Sequence, residues 1–224
     1  MNYIWDFGIL WKYSHLFWLG AAYTFLYTIG TAFLGMIIGF LCAAIQLKRW
    51  RLANWLVMGY VEIFRCTPLL VQIIWFYYAF PVVIGVNIPP QVAAVGVLSL
   101  YVGAFYAEIF RGGIESIERG QWDAGRALGL RPWYVLRLVV LPQAVKRMLP
   151  PFVNQTIIQL KNTSLISVIA VPDLVYNATL ITAETYRPLE VYTIIAAIYF
   201  LILFPATLIA RRLGNALSGQ RETA

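Results

Sequence analysis

Charged side chains are scarce in this 224-residue sequence, because only 12% of its residues are Asp, Glu, Lys or Arg, whereas a soluble domain has about 25%. Hydrophobic residues make up 61% of the chain, against about 45–50% in soluble proteins. This composition excludes a disordered tail and argues against a water-soluble enzyme. It predicts an integral membrane protein.

The residues that perform chemistry are also few. The two cysteines, Cys42 and Cys66, lie in apolar stretches and form neither a CxxC pair nor a disulfide framework. There is one histidine, His15, and no G-x-x-x-x-G-K-[ST] sequence that would cradle a nucleotide. These absences argue against a membrane enzyme with a metal or acid–base site. No cofactor or metal is expected to bind this chain.

Five hydrophobic segments are long enough to cross a bilayer, which takes about 20 apolar residues. Paired prolines at Pro89-Pro90 separate the second segment from the third, and Pro68 is expected to kink the second. The sequence predicts an all-α integral membrane protein, a single transmembrane domain over residues 1–224 with a core of about 17–212. The five expected spans are 17–47, 54–84, 91–114, 148–171 and 191–210.

A close helix contact is expected in the first span. Gly35 and Gly39 form a GxxxG pattern, and small residues at this spacing let two helix backbones approach each other.

The surplus of basic residues, a net charge of +7, predicts the topology. Lys48, Arg49 and Arg51 follow the first span, seven basic residues lie in 111–147, and three lie in the C-terminal tail. Few basic residues remain elsewhere. The positive-inside rule therefore predicts that the N-terminus is outside and the C-terminus cytoplasmic. Nucleic acid is not needed to explain the charge.

The segment 111–147 has the densest charge, with seven basic and three acidic side chains. Residues 120–130 read as a short amphipathic helix, with Asp123 near its start and Gly129 as a left-handed cap near its end. Pro132 opens a second helical stretch, which Pro142 is expected to kink or stop. A helix without its own core either docks in a partner's groove or lies on the lipid surface. The residues alone leave both open.

The spacing in this segment resembles the EAA loop of ABC importer permeases. That loop reads Glu-Ala-Ala, three residues, Gly, nine residues, then Ile-x-Leu-Pro. Here the sequence has Asp123-Ala124-Gly125, then Gly129, then Val139-Val140-Leu141-Pro142 at the same spacing. The substitutions are conservative. Four further segments, 64–72, 108–117, 147–155 and 160–167, look like signatures of the polar amino-acid uptake branch, so the likeness covers about 19–212.

The resemblance implies a permease subunit of a type I ABC importer of polar amino acids, in the bacterial cytoplasmic (inner) membrane. A coupling helix in the cytoplasmic loop of about 115–147, between spans three and four, would contact an ABC ATPase dimer that binds ATP and Mg. A second permease, identical or homologous, and an extracytoplasmic substrate-binding protein would complete the machine. The residues implied for ATPase coupling are Gly120, Asp123, Ala124, Gly125, Ala127, Leu128, Gly129, Leu141 and Pro142.

Polar side chains within the spans are candidates for the substrate pathway, because ionisable groups in a bilayer are expensive and usually face the bundle interior. Glu62 and Arg65 are three residues apart and can pair. Hydrogen bonding between helices or subunits is the alternative for the uncharged ones. The expected pathway residues are Arg65, Thr67, Gln155, Gln159, Lys161, Asn162, Thr163 and Ser164.

The substrate is less sharply indicated than the machinery. Arg65 and Lys161 favour a carboxylate, and neutral Asn162 offers no counter-charge to a cationic side chain. Acidic or neutral polar amino acids are therefore expected, with basic ones as the alternative. An ATP-independent carrier or channel is a rival from another class, and it would transport with this chain alone. The preserved loop spacing and the lack of an internal repeat argue against it.

Overall fold

The computed structural model describes residues 3–48 and 50–218, which are helical with no β-strand among them. Arg49 and Arg221, counted above among the basic residues, lie outside the described residues. The helices are α1 (Gly8–Lys12), α2 (Ser14–Leu47), α3 (Arg51–Cys66), α4 (Leu69–Ile74), α5 (Phe80–Ile84), α6 (Pro90–Glu115), α7 (Arg119–Ala127), α8 (Pro132–Tyr134), α9 (Leu141–Asn162), α10 (Leu174–Thr185) and α11 (Pro188–Ser218).

Three unbroken helices, α2, α6 and α11, are long and apolar enough to cross a membrane, with mean hydropathies of 2.1, 1.7 and 2.4. Two bent helical segments pass the same test when each is counted as one span. The first joins α3 to α4 and α5, and the second joins α8 and α9 to α10. The five-span prediction agrees with this architecture, although two of the five spans are broken.

The core of the bundle is the contact between α2 and α6. Gly35 faces Val102, and Gly39 faces Tyr106 and Ala107. The two helices therefore run in the same direction. A Cβ added to Gly39 would lie 2.8 Å from the backbone nitrogen of Ala107, so only glycine permits this approach. The GxxxG prediction is confirmed.

The second span breaks between α3 and α4, where the two halves meet at 110°. Thr67 is extended (φ −111°, ψ 142°) because the ring of Pro68 disfavours the α conformation in the residue before it. The side-chain nitrogen of Gln72 donates to the carbonyl oxygens of Phe64 (3.0 Å) and Thr67 (3.1 Å) across the break. The predicted kink at Pro68 is confirmed. The prediction that one continuous helix covers residues 54–84 is wrong, because α3 and α4 are separate helices.

The fourth span also differs from its predicted bounds. Helix α9 begins at Leu141 and ends at Asn162, and a 3-10 segment, Thr163–Ile169, follows it. Ala170 then adopts a left-handed conformation (φ 57°) that ends the run. Helix α10, which Asp173 caps by accepting the backbone N–H of Tyr176 at 2.7 Å, was not predicted. The apolar run of residues 148–171 therefore marked only part of this span.

Two π-helical segments, Trp75–Ala79 and Val135–Val140, stand immediately before Pro81 and Pro142. Proline lacks an N–H and its ring clashes with the carbonyl four residues earlier, so a wider turn lets the helix continue. Pro142 lies in the first turn of α9. The helix continues through Pro142, so the prediction that it stops there is wrong, and a kink there stays a prediction.

The basic groups gather at one end of the bundle. Leu47 and Glu115 line the same cavity there, which brings the ends of α2 and α6 together. Met148 packs against Gly113, and Pro150 lies 3.8 Å from the position of a Cβ on Gly214. The start of α9 and the end of α11 are therefore at the same end as well. Helix α1 lies at the opposite end.

The glycine contact between α2 and α6 can be tested with a matched pair of substitutions. Gly39→Ala places a methyl group against the α6 backbone and should lower the free energy of unfolding by about 1–3 kcal/mol. Gly30→Ala adds the same group to the same helix, where no atom lies within 4 Å, and should leave stability unchanged or slightly raised. Thermal unfolding of the purified chain in detergent compares them. Equal midpoints for the two variants would contradict the contact.

Candidate functional site

Helix α7 is seated on the π-helical segment that precedes α9. Gly125 is buried there, and a Cβ on it would lie 2.9 Å from Cγ1 of Val135. Trp122 joins the apolar cluster formed by Ile117 and Val140 with neighbouring side chains. Gly125, where the EAA pattern has alanine, therefore lets α7 pack closely against the side chain of Val135.

The end of α7 is a glycine cap, as the sequence predicted. Gly129 has φ 75°, a conformation in which a residue with a Cβ is strained. The N–H of Leu130 donates to the carbonyl of Gly125 (3.2 Å), and the N–H of Gly129 donates to the carbonyl of Arg126 (2.9 Å). This pair of bonds is a Schellman motif, which satisfies carbonyls that the helix end leaves free.

Asp123 occupies a different position from the predicted one. Helix α7 begins at Arg119, so Asp123 stands in its middle and not near its start. The carboxylate lies 3.4 Å from the guanidinium of Arg126, and both side chains are largely exposed. An exposed pair of this kind contributes little to stability.

Most of the predicted coupling residues form an open surface. Leu128, at the end of α7, is 80% exposed. Gly125 is the buried member of the set. The exposed members are Gly120, Asp123, Ala124, Ala127, Leu128, Gly129, Leu141 and Pro142.

Two polar contacts tie this loop to α9. The side-chain nitrogen of Gln143 donates to the side-chain oxygen of Gln121 at 3.2 Å. The guanidinium of Arg147 donates to the backbone carbonyl of Ser116. The coupling surface is therefore fixed to the span that carries most of the predicted pathway residues.

A cavity of about 560 Å³ opens between α3, α6 and α9 near the basic end. Its polar lining is Arg65, Glu108, Arg147, Asn154 and Gln155, with Ser116 at the loop. The Arg65 guanidinium lies 3.3 Å from a Glu108 carboxylate oxygen and 4.0 Å from one of Glu62. The predicted pairing of Glu62 with Arg65 is present, but Glu108 is the closer partner.

Glu108 is held from a second direction by Arg111. The two side chains make a bidentate pair at 2.8 and 3.0 Å, and Arg111 also reaches Glu115 at 2.6 Å. A chain of alternating charges thus links α3 to the end of α6. Such a network holds charged groups in an apolar span by compensating each one.

The predicted pathway residues divide into two groups. Gln155 lines the cavity with Arg65, and its side-chain nitrogen has no hydrogen-bond partner among the residues that the structure describes. Asn162 is half-buried at the last residue of α9. Gln159 is fully buried, and its side-chain nitrogen donates to Thr31 (3.0 Å) and to the carbonyl of Leu98 (3.3 Å). Gln159 therefore matches the alternative of hydrogen bonding between helices.

The remaining predicted pathway residues either form hydrogen bonds within their own helical segments or are exposed. The hydroxyls of Thr67, Thr163 and Ser164 donate to the carbonyls of Ile63, Leu160 and Lys161 at 2.6–2.7 Å. Lys161 is exposed at the last turn of α9. The structure thus brings Arg65 and Gln155 to one cavity and turns the three hydroxyls toward backbone.

Glu108 and Arg147 are site residues that the sequence reasoning did not select. Glu108 is an acidic residue in the last third of an otherwise apolar span, and that alone is a signal for function. Arg147 was counted only as one basic residue of the loop. Within residues 3–48 and 50–218, no cluster of three or more His, Cys, Asp or Glu side chains could hold a metal ion.

The seat of α7 can be tested by filling the space at Gly125. Gly125→Val would push α7 away from Val135, because its Cβ begins 2.9 Å from Cγ1 of that residue. Trypsin should then cleave at Arg119 and Arg126 several-fold faster, as measured on the purified chain by mass spectrometry. Ala127→Val, on the exposed side of the same helix, serves as the control. Unchanged cleavage in Gly125→Val would show that this contact does not hold the helix.

Most of the chain is similar to known transport proteins. A family profile described as "Binding-protein-dependent transport system inner membrane component" matches residues 35–219. The glutamine transport system permease protein GlnP of Escherichia coli K12 is 37% identical over 209 residues, which are 93% of this chain and 95% of that protein. The probable glutamine ABC transporter permease protein GlnP of Bacillus subtilis is 35% identical, covering 84% and 89% of the two chains.

Solved structures agree with this assignment. A chain of an amino acid ABC transporter crystallised with histidines superimposes with a TM-score of 0.90 and 34% identity, covering 96% of this chain and all of that one. An inward-facing methionine transporter, MetNI, shares the fold at 21% identity and a TM-score of 0.63, covering 93% and 99%. The family and the apolar spans together make this a multi-pass protein of an inner membrane. The chain therefore belongs to the inner-membrane components of binding-protein-dependent transport systems, and within them to the permeases of amino-acid ABC transporters.

Proposed function

We propose that this chain forms the membrane pathway of an ATP-driven importer that moves polar amino acids into the cytoplasm. The observation that carries the proposal is α7, an exposed helix with the spacing of a coupling loop, fixed to the span that lines the cavity. The chain has no nucleotide motif, so ATP and Mg would be bound by a separate ABC ATPase dimer. A second permease, identical or homologous, and an extracytoplasmic binding protein complete the proposed assembly.

The basic end of the bundle supports the orientation proposed for the chain. Lys48, Arg51 and the seven basic residues of 111–147 lie at the end where α2 and α6 finish. Basic residues are enriched in cytoplasmic loops. We therefore place α7 in the cytoplasm, the N-terminus outside and the C-terminus inside.

The substrate we propose is a neutral polar or acidic amino acid, with glutamine first. Two relatives are named as glutamine transport permeases. In the cavity, the Arg65 guanidinium suits a substrate carboxylate, and the unpaired amide of Gln155 suits a polar side chain. Glu108 is already shared by two arginines, so it offers little charge to a cationic side chain. Basic amino acids are the alternative substrate class.

Coupling to the ATPase can be tested at the cap of α7. Gly129→Val forces a branched side chain into a left-handed conformation and widens the docking surface. ATPase stimulation by the loaded binding protein, measured on the reconstituted complex, should fall several-fold while the complex stays assembled. Gly129→Asn is the control, because asparagine tolerates this conformation and should retain most of the stimulation.

Two outcomes would overturn the coupling proposal. Full stimulation in Gly129→Val would show that the cap has no part in it. Uptake by the purified chain in liposomes without an ATPase would instead establish the ATP-independent carrier.

The two buried glutamines of α9 are expected to behave differently. Gln155→Met removes an amide that lines the cavity, so uptake of labelled glutamine should fall several-fold with the thermal midpoint unchanged. Gln159→Met removes an amide that is hydrogen-bonded inside the subunit, so it should lower the free energy of unfolding by about 1–3 kcal/mol.

Competition by unlabelled glutamate and arginine in the same uptake assay ranks the acidic and basic amino acids as substrates. Wild-type uptake in Gln155→Met would exclude that side chain from the pathway.

A further inference from the structure

An apolar crevice runs between the first turns of α2 and the middle of α11, far from the cavity described above. Its volume is about 390 Å³. Helix α1 borders its end, and the buried side chains of Phe17 and Ala21 lie on its floor. The lining residues are Leu10, Trp11, Ser14, Phe17, Trp18, Ala21, Phe25, Ile198, Leu201 and Ile202.

The crevice offers a ligand almost no polar group. Ser14 is the one hydroxyl among the lining residues, and it donates to the carbonyl of Trp11 at 3.0 Å. The nine others are hydrocarbon or aromatic. An amino acid or any other charged solute would lose its hydration here without compensation. The occupant must therefore be an apolar chain.

The length of the crevice matches one leaflet of a bilayer. From Ser14 to Phe25 is eleven residues, or about 16 Å along the helix axis at 1.5 Å per residue. The hydrocarbon core of a bilayer is about 30 Å thick, so one leaflet is about half of that. Trp11, which is 81% exposed and precedes Ser14, marks the level where tryptophan meets the lipid headgroups.

The rim of the crevice does not suit a partner helix. Close helix pairs need small residues at the contact, as Gly35 and Gly39 provide toward α6. Here the bulky side chains of Trp18, Phe25 and Leu201 project from the edges of the crevice. An acyl chain is thin enough to fit between these side chains, whereas they would keep the backbone of another helix at a distance.

The crevice is continuous with surface that the bilayer covers. The most apolar 18-residue stretch of α11 is only 17% buried by the protein, compared with 56% for that of α6. Lys12, at the same end, is paired with a carboxylate oxygen of Glu184 at 3.9 Å and does not line the crevice, so the acyl chain and not the headgroup carries the recognition.

We propose that this crevice binds one acyl chain of a phospholipid from the leaflet nearest α1. The lipid would fill the gap between α2 and α11 and hold the start of α2 against α11. The site does not depend on the amino-acid pathway, since none of its lining residues borders the 560 Å³ cavity.

The test uses the full chain in phosphatidylethanolamine–phosphatidylglycerol vesicles that contain a trace of phosphatidylglycerol with a diazirine in its acyl chain. After irradiation, mass spectrometry maps the labelled residues. Label should concentrate on the crevice, at residues such as Phe25 and Leu201, and exceed that on Phe33, which is 60% exposed and outside the crevice. Ala21→Trp fills the crevice and should reduce this label about tenfold, equivalent to ~1.4 kcal/mol of binding. Ala22→Trp, on the exposed side of the same turn, should leave it unchanged.

Equal labelling in Ala21→Trp and wild type, or uniform label over the whole lipid-facing surface, would overturn the proposal. Cross-links from the crevice to a second copy of the chain would overturn it too, since a protein would then be the occupant. Ser14→Phe, which closes the crevice from its exposed end, gives the same test without altering the floor. His15→Phe is its control, because His15 is exposed and outside the lining.

Discussion

The close approach of α2 to α6 is the contact on which the rest of the bundle depends. Lipid is as apolar as the helices, so burial alone does not bring them together and tight packing must do so. Gly35 and Gly39 supply it. Tyr106, which Gly39 faces, also stacks on Phe152 of α9 with ring centroids 4.0 Å apart. Gln159 then bonds to both α2 and α6, which makes the three helices one unit.

Features that depend on neighbouring residues could be predicted from the sequence. The apolar runs gave five spans, the GxxxG pattern gave the helix contact, and Gly129 gave the left-handed cap. Each follows from chemistry within a few turns of chain. The loop spacing extended this to the family, because a spaced set of residues carries more information than its single members.

Features that depend on distant residues could not be predicted in the same way. A proline signals a break but not its angle, which is 110° at Pro68, and Gln72 bonds to Phe64 and Thr67 across this bend. The three-residue spacing within one helix predicted that Glu62 pairs with Arg65. Glu108 lies on another span, and the spacing of residues along one helix carries no information about partners on a different helix. Pro142 was misread because the π-helical segment before it absorbs the missing hydrogen bond.

The same packing explains how a movement at α7 would reach the cavity in the proposed cycle. Gly125 of α7 packs against Val135, in the π-helical segment that leads into α9. Arg147 of α9 makes a second contact with the loop, at the backbone carbonyl of Ser116. From Leu141, α9 runs unbroken to Gln155, which is fourteen residues or about 21 Å along its axis. Packed interfaces shift between discrete arrangements and do not stretch. A displacement of α7 would therefore pass along α9 to the cavity wall, and Pro150 and Pro151 inside that helix are the places where this path can bend, because a proline removes a backbone hydrogen bond.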